Sequence, residues 1–119
     1  MIIYSKDSTT GSSNSKNTQP LMMNYEKGEL AVAHNGNLTN ARVLRHKLEK
    51  EGSIFQSTTD TEVIVHLIAR SKEKTFLKRT IEALTECRGA YSLVFLTPKG
   101  LVAARDPHGF RPLVLGKNR

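Results

Sequence analysis

Tryptophan is absent from these 119 residues and cysteine occurs once. The single cysteine, Cys87, excludes a disulfide framework within the chain and any metal site built from several thiolates. It fits a reducing compartment. Long apolar runs are missing too: none approaches the roughly 20 residues of a membrane-spanning helix. The opening segment, Met1-Ile2-Ile3-Tyr4-Ser5-Lys6-Asp7, lacks the basic start and apolar stretch of a secretory signal. These absences lead to the expectation of a cytoplasmic protein with no membrane partner.

Acids are the scarcer charge, with 11 Asp and Glu against 18 Lys and Arg and a net charge of +7. Such a balance permits binding to nucleic acid or to an anionic substrate. The cations are spread through Lys47, Lys50, Lys72, Lys74, Lys78, Arg79 and Arg88, without the interleaved aromatics of a single-strand platform. They read as solvated helix faces, and no nucleic-acid partner is expected. With 38% apolar residues in a chain of this length, a single globular domain with a real core is within reach.

Leu30 to Ala33 alternates as a strand and is expected to stop at His34-Asn35-Gly36-Asn37, four residues of strong turn character. With Leu21-Met22-Met23 before it, the segment 21–33 reads as a hairpin. A strand ending in Asn-Gly ahead of a helix sets a side-chain amide beside a bare backbone N–H, the raw material of an oxyanion hole. The bland alternative is an ordinary strand-to-helix turn.

Thr39 to Glu51 reads as a helix with Ala41, Leu44 and Leu48 on one face and Gly52 as its stop. His46 belongs to its exposed side. Thr59 to Glu62 fits a capping box, in which the hydroxyl takes one orphan N–H and the Glu reaches back for another. Val63, Ile64, Leu67 and Ile68 continue it as an apolar stripe, with His66 in a structural position. Asp60 falls in the first turn, where the helix dipole favours a carboxylate; its functional alternative is to bind a ligand ammonium.

A third helix is expected from Thr75 to Cys87, with Phe76, Leu77, Ile81 and Leu84 apolar and Gly89 closing it. Cys87 has no activating partner nearby in sequence and reads as a small packed residue. Ala90–Thr97 and Leu101–Arg105 form a hairpin around Pro98-Lys99-Gly100. After a turn at Asp106–Gly109, a last strand starts at Pro112–Leu115. Strands, then helices, then strands favour an α+β fold with a largely antiparallel sheet. Residues 8–20, almost wholly polar, form a loop rich in hydroxyls and amides.

Four segments in this order carry a resemblance: Ser8-Thr9-Thr10-Gly11-Ser12-Ser13, His34-Asn35-Gly36-Asn37-Leu38, Ser57-Thr58-Thr59-Asp60-Thr61-Glu62-Val63-Ile64, and Arg105-Asp106-Pro107-His108-Gly109-Phe110-Arg111-Pro112-Leu113. From Ser8 onward the chain resembles the N-terminal class II glutamine amidotransferase domain of the amidophosphoribosyltransferase family. Glucosamine-6-phosphate synthase is similar through the second and third segments, asparagine synthetase through parts of the last. The first and last segments favour the purine enzymes.

The resemblance implies an αββα sandwich of the N-terminal-nucleophile hydrolase type, here incomplete at both ends, with sheet edges open to association. It implies a terminal Cys whose α-amino group serves as base, a thioester on the glutamine side-chain amide, and ammonia passed to phosphoribosyl pyrophosphate in a second domain, giving 5-phosphoribosylamine for de novo purine synthesis. Asn35 and Gly36 would form the oxyanion hole. Asp60, helped by Thr59, would bind the glutamine ammonium, and Thr9 would help hold the α-carboxylate. The Asp106–Gly109 turn and Arg111 would shape the domain. No cofactor is implied for these residues, Mg2+ is implied for the phosphoribosyltransferase domain, and the full-length family is homo-oligomeric. A plant source would make the location plastidic.

The sequence also departs from that pattern. Met1 stands where the nucleophilic Cys is expected, and Lys6-Asp7 replaces an Arg and an aromatic residue ahead of Ser-Thr-Thr-Gly. Lys does not reproduce the bidentate hold of Arg on a carboxylate. Residues 1–7 are atypical, and the phosphoribosyltransferase half is absent. The chain is therefore expected to be a glutaminase-domain fragment, inactive by itself. The competing classes are a non-catalytic glutamine-binding or interaction module on the same scaffold and a fragment of a glucosamine-6-phosphate synthase-like amidotransferase.

Overall fold

Two stretches of alternating apolar and polar side chains each double back at a turn ending in glycine, and together they make one sheet. The computed structural model describes residues 19–107. In it β1 (Leu21–Tyr25) turns into β2 (Gly28–Leu38), and β3 (Gly89–Thr97) turns into β4 (Gly100–Arg105). The order is β1-β2-β3-β4, antiparallel throughout. Between the hairpins run α1 (Ala41–Lys50), α2 (Asp60–Arg70) and α3 (Phe76–Thr85). The α+β reading and the antiparallel sheet hold. The first expected site segment (with Thr9), the strand from Pro112 and the residues His108, Gly109 and Arg111 lie outside the described residues.

Leu30, Val32, Tyr91, Leu93, Phe95 and Ala104 alternate onto one face, where they meet Leu44 and Leu48 of α1, Val63, Ile64, Leu67 and Ile68 of α2, and Ala83 of α3. Helix α2 is the centre of this layer, buried from Thr61 to Val65 and again at Leu67 and Ile68. The opposite face of the sheet carries Met22, Ala31, Ala33, Val94, Leu96 and Leu101, with Met22 and Leu96 exposed. Among the described residues there is one sheet with its helices on one side.

Several boundaries differ from the sequence reading. Strand β2 does not stop at Ala33. It runs through His34-Asn35-Gly36-Asn37 to Leu38, paired with β3 from Ala31 opposite Leu96 to Leu38 opposite Gly89. The local turn preference of Asn-Gly gives way to a ladder with a strand more than fifty residues later. The two backbones come so close here that only glycine fits at two positions, one on each strand. A Cβ on Gly36 (φ +121) would overlap the Ala90 carbonyl, and one on Gly89 (φ +125) would overlap the Asn37 carbonyl and lie 2.9 Å from Thr39 N. Gly89 thus opens β3 rather than closing the helix before it.

Helix α1 starts at Ala41, not Thr39, because Thr39 N–H still donates to Arg88 O at 2.8 Å, beyond the end of the strand pairing. Its far end closes at Gly52 as expected, with Ser53 N–H on Leu48 O at 2.9 Å. Helix α3 is shorter than expected, with Thr75 capping Lys78 N–H at 3.1 Å. It turns Arg79, Thr80 and Ala83 inward and leaves Ile81 exposed. Arg79 is therefore not on a solvated face. At 6% exposure its guanidinium donates to Glu73 O at 3.1 Å and reaches the Tyr25 hydroxyl at 3.5 Å, linking α3 to the β1 edge. Exposed ion pairs tie the helix ends together, Arg70 to Glu51 and Glu86, and Lys47 to Glu86. Solvent screening keeps such pairs to a minor role.

The close approach of β2 and β3 makes a measurable demand. Gly89→Ala is expected to destabilise the fold by about 3 kcal/mol, from strained φ and backbone overlap combined. Urea unfolding should show a lower midpoint at unchanged slope. A loss under about 1 kcal/mol would contradict the approach described.

Candidate functional site

Alternation along β2 decides which backbone groups leave the sheet. His34 N–H donates to the Gln19 side-chain oxygen at 2.6 Å, and His34 C=O accepts from the Gln19 side-chain nitrogen at 2.9 Å. Both groups of His34 therefore point away from β3. Gly36 and Leu38 share its parity. Leu38 N–H leaves the same edge and donates to Asp60 Oδ2 at 2.9 Å. Tyr91, opposite Gly36, spends its own N–H on Asp106 Oδ1 and its C=O on Asp106 N–H, both at 3.1 Å. The Gly36 N–H is thus set on the edge of β2 that faces away from β3, with no partner among the described residues, between one neighbour held by Gln19 and another held by Asp60. Asn35 is exposed next to it, on the sheet face opposite the helices.

The structure brings the expected oxyanion-hole pair and Asp60 to one place. It does so through the start of α2, which abuts the end of β2. Asp60 is half-buried, and among the described residues its Oδ1 takes no hydrogen bond. Thr59 is the N-cap: its hydroxyl accepts from Glu62 N–H at 3.3 Å and lies 3.0 Å from the Ser57 hydroxyl. That hydroxyl is committed to the helix start. Thr9 lies outside the described residues.

Half of the expected capping box is formed. Glu62 does not return to Thr59 N–H. It reaches further, with Oε1 accepting from Ser57 N–H and Ser57 Oγ, both at 2.7 Å, and Oε2 accepting from Gln56 N–H at 2.8 Å. Its neighbour one turn on, His66, places Nε2 3.2 Å from Oε2 and packs against Phe55 at a tilt of 47°, with centroids 4.3 Å apart. His66 is structural, as expected. Burial by itself would raise the Glu62 pKa; the hydrogen bonds from Ser57, Gln56 and His66 outweigh it and hold the carboxyl below its ordinary value. His34 points inward, Nδ1 3.3 Å from the Thr61 hydroxyl. Burial lowers its pKa, against the opposing pull of the Asp60 charge.

Sequence reasoning passed over Gln19, His34, Ser57 and Glu62 as parts of this site. Glu62 carried the one available signal, an acid sitting directly against an apolar stripe. Gln19 carried none, because its contacts with His34 span 15 residues. His34 stood within the second motif segment, but its contact with Thr61, 27 residues on, left no local trace. Cys87 is packed, with Sγ 3.6 Å from Ala83 O. Burial first, then the Glu86 charge, push its thiol up to about 12.

A glutamine amidotransferase domain model matches residues 7–119. The chain belongs to that family. It is 56% identical over 110 residues to amidophosphoribosyltransferase 2, chloroplastic, of Arabidopsis thaliana, covering 92% of the chain and 20% of that protein. It is 51% identical over 109 residues to an amidophosphoribosyltransferase of Lacticaseibacillus casei, covering 92% of the chain and 56% of that protein. Among solved structures, it is similar to the glutamine phosphoribosylpyrophosphate amidotransferase of B. subtilis complexed with ADP and GMP, with a TM-score of 0.79 and 41% identity over 87% of the chain and 23% of that one. The chain thus spans about a fifth of the length of the plant relative.

Acid should find the buried groups in turn. The folded pKa values of His34 and Glu62 both lie below their ordinary values, so each contributes stability that is present above the unfolded pKa and lost as pH falls through the folded one. Urea midpoints should hold above pH 6.5, decline as His34 must charge, and fall further below pH 4.5 as Glu62 is protonated. Removing the first decline by His34→Gln, with the second retained, checks the assignment.

Proposed function

We propose that these residues are the glutamine-binding part of the glutaminase half of an amidophosphoribosyltransferase. The whole enzyme would make 5-phosphoribosylamine from phosphoribosyl pyrophosphate and glutamine in de novo purine synthesis. The observation that carries this reading is the strand edge at which Gly36 N–H stands between two side-chain-held neighbours, one of them tied to Asp60 at 2.9 Å. Family membership over residues 7–119 supports it.

In this reading Asp60 Oδ1 takes the glutamine ammonium in a charge-assisted hydrogen bond. When a thiolate attacks the side-chain amide, the carbonyl oxygen gains charge. The Asn35 carboxamide and the Gly36 N–H then donate to it, and their fixed positions mean little reorganisation as the charge develops. Thr9 helps hold the α-carboxylate. Phosphoribosyl transfer, its Mg2+ and the homo-oligomeric assembly belong to the rest of the enzyme, in the cytoplasm or, in a plant, the plastid.

The 119 residues do not hydrolyse glutamine by themselves. Their one thiol is Cys87, buried, with its pKa at about 12 and the Glu86 charge nearby. A thiolate is the nucleophile in such chemistry, and burial keeps Cys87 as a thiol at pH 8.

Three measurements test this. Incubation with glutamine should release no ammonia above the blank; release abolished by Asn35→Ala or Asp60→Asn would overturn the inactivity. Calorimetry should find saturable glutamine binding, weakened at least tenfold by Asp60→Asn through loss of the charged acceptor. Asn35→Ala should leave that affinity nearly unchanged, because its donor acts on charge present only in the transition state. Absence of binding by the folded chain would remove the site assignment. Cys87 should resist an aromatic disulfide reagent at pH 8 until urea is added.

A further inference from the structure

Glu62 is 1% exposed, and as an ion it is surrounded mostly by neutral donors. A helix cap does not need that. A neutral hydroxyl at the N-cap already satisfies an orphan N–H, as Thr59 does. Burying a carboxylate costs several kcal/mol unless its lone pairs are filled. Here they are filled mainly by one short segment, Gln56 N–H and Ser57 N–H and Oγ, all between 2.7 and 2.8 Å, with His66 Nε2 3.2 Å from Oε2 completing the shell. Ser57 is held on its remaining side as well, its C=O accepting from Arg45 Nη2 at 2.7 Å. Its hydroxyl accepts from Thr59 N–H at 3.3 Å, and the Thr59 side chain in turn caps α2. The Arg45 guanidinium lies 4.1 Å from the centroid of Phe55, whose ring also packs tilted against His66, closing the cluster from outside.

We propose that Glu62 is a positioning residue for Asp60. Its buried carboxylate locks residues 56–59 in one conformation, and this turn delivers the Asp60 carboxylate to the end of β2, where Oδ2 meets Leu38 N–H. The assignment deepens the glutamine-binding reading and rests on it for the ligand, but the placement of Asp60 can be read without any ligand. Glu62→Gln keeps the shape and replaces one acceptor oxygen with an N–H2 group, which must face donors already in place at either oxygen position.

The test uses amide NMR of the chain with a glutamine titration. Leu38 N–H, bonded to the Asp60 carboxylate, is the reporter. In Glu62→Gln its resonance should move upfield and exchange with solvent at least tenfold faster, while the amides of Val32 and Phe95 in the distant ladder stay put. Glutamine affinity should fall at least tenfold. A cap-only role would lower the unfolding midpoint and leave Leu38 and the affinity alone, and that result would overturn the proposal. Should Glu62→Gln fail to fold, Ser57→Ala decides: it keeps the ion, removes one donor, and is expected to shift Leu38 in the same direction by less. An unmoved Leu38 in a folded Ser57→Ala protein would then overturn it. If the wild-type chain does not bind glutamine while Leu38 responds as expected, the functional reading fails and the positioning stands.

Discussion

The close approach of β2 and β3 is the constraint on which the remaining geometry depends. The ladder from Ala31 to Leu38 against Gly89 to Leu96 passes two points where a side chain cannot be accommodated, Gly36 and Gly89. Because it holds through the Asn-Gly pair, the parity of every backbone group on β2 is fixed as far as Leu38. That parity sends the N–H groups of His34, Gly36 and Leu38 off one edge and leaves Asn35 on the outer face. A turn at the same residues would satisfy the same sequence and scatter these groups. The ladder also sets where α1 can begin, since Thr39 still bonds to Arg88.

Helix α2 supplies the second half of the arrangement, for a different physical reason. Its apolar stripe is buried almost all round, so it cannot shift without opening the core. Its start is pinned by polar contacts instead: Thr59 on Glu62 N–H, Glu62 on the Gln56–Ser57 backbone, and Asp60 on Leu38. Packing fixes where the helix axis lies, and hydrogen bonds fix the direction in which its first carboxylate points. Dispersion forces alone would leave that direction to rotamer choice.

Much of the frame was legible in the sequence, because it is written in local periodicity. The four strands, the three helices, the Thr59 cap, the structural role of His66 and the packed state of Cys87 follow from patterns a few residues long. What escaped was set by distant partners. Nothing near Asn35 announces Ser92 as its pairing partner, so the turn preference of Asn-Gly was read at face value. Arg79 looked solvated because it stands among lysines, yet its helical position turns it toward Tyr25. The Thr59–Glu62 spacing signalled a reciprocal box; the side chain reached further because Ser57 offers two donors where Thr59 offers one. The residue types of the candidate site were visible, and their mutual placement was not.

The oxyanion-hole reading depends on that placement more than on the residues themselves. An N–H on a free strand edge is a weak device if the edge can flex, because a donor stabilises developing charge only when it needs no reorganisation. Gly36 has no side chain with which to anchor itself. Its two neighbours of the same parity are anchored for it, His34 by the Gln19 carboxamide 15 residues before and Leu38 by Asp60 22 residues after. Both anchors come from other segments, so a peptide carrying His-Asn-Gly-Asn would have the donors without their rigidity. In the proposed reading, the same Asp60 that fixes Leu38 offers its second oxygen to the glutamine ammonium. On that reading ammonium recognition and oxyanion geometry would not be independent features: a displacement of the α2 start would degrade both, and the buried carboxylate holding the 56–59 turn would bear on the chemistry as well as on the fold.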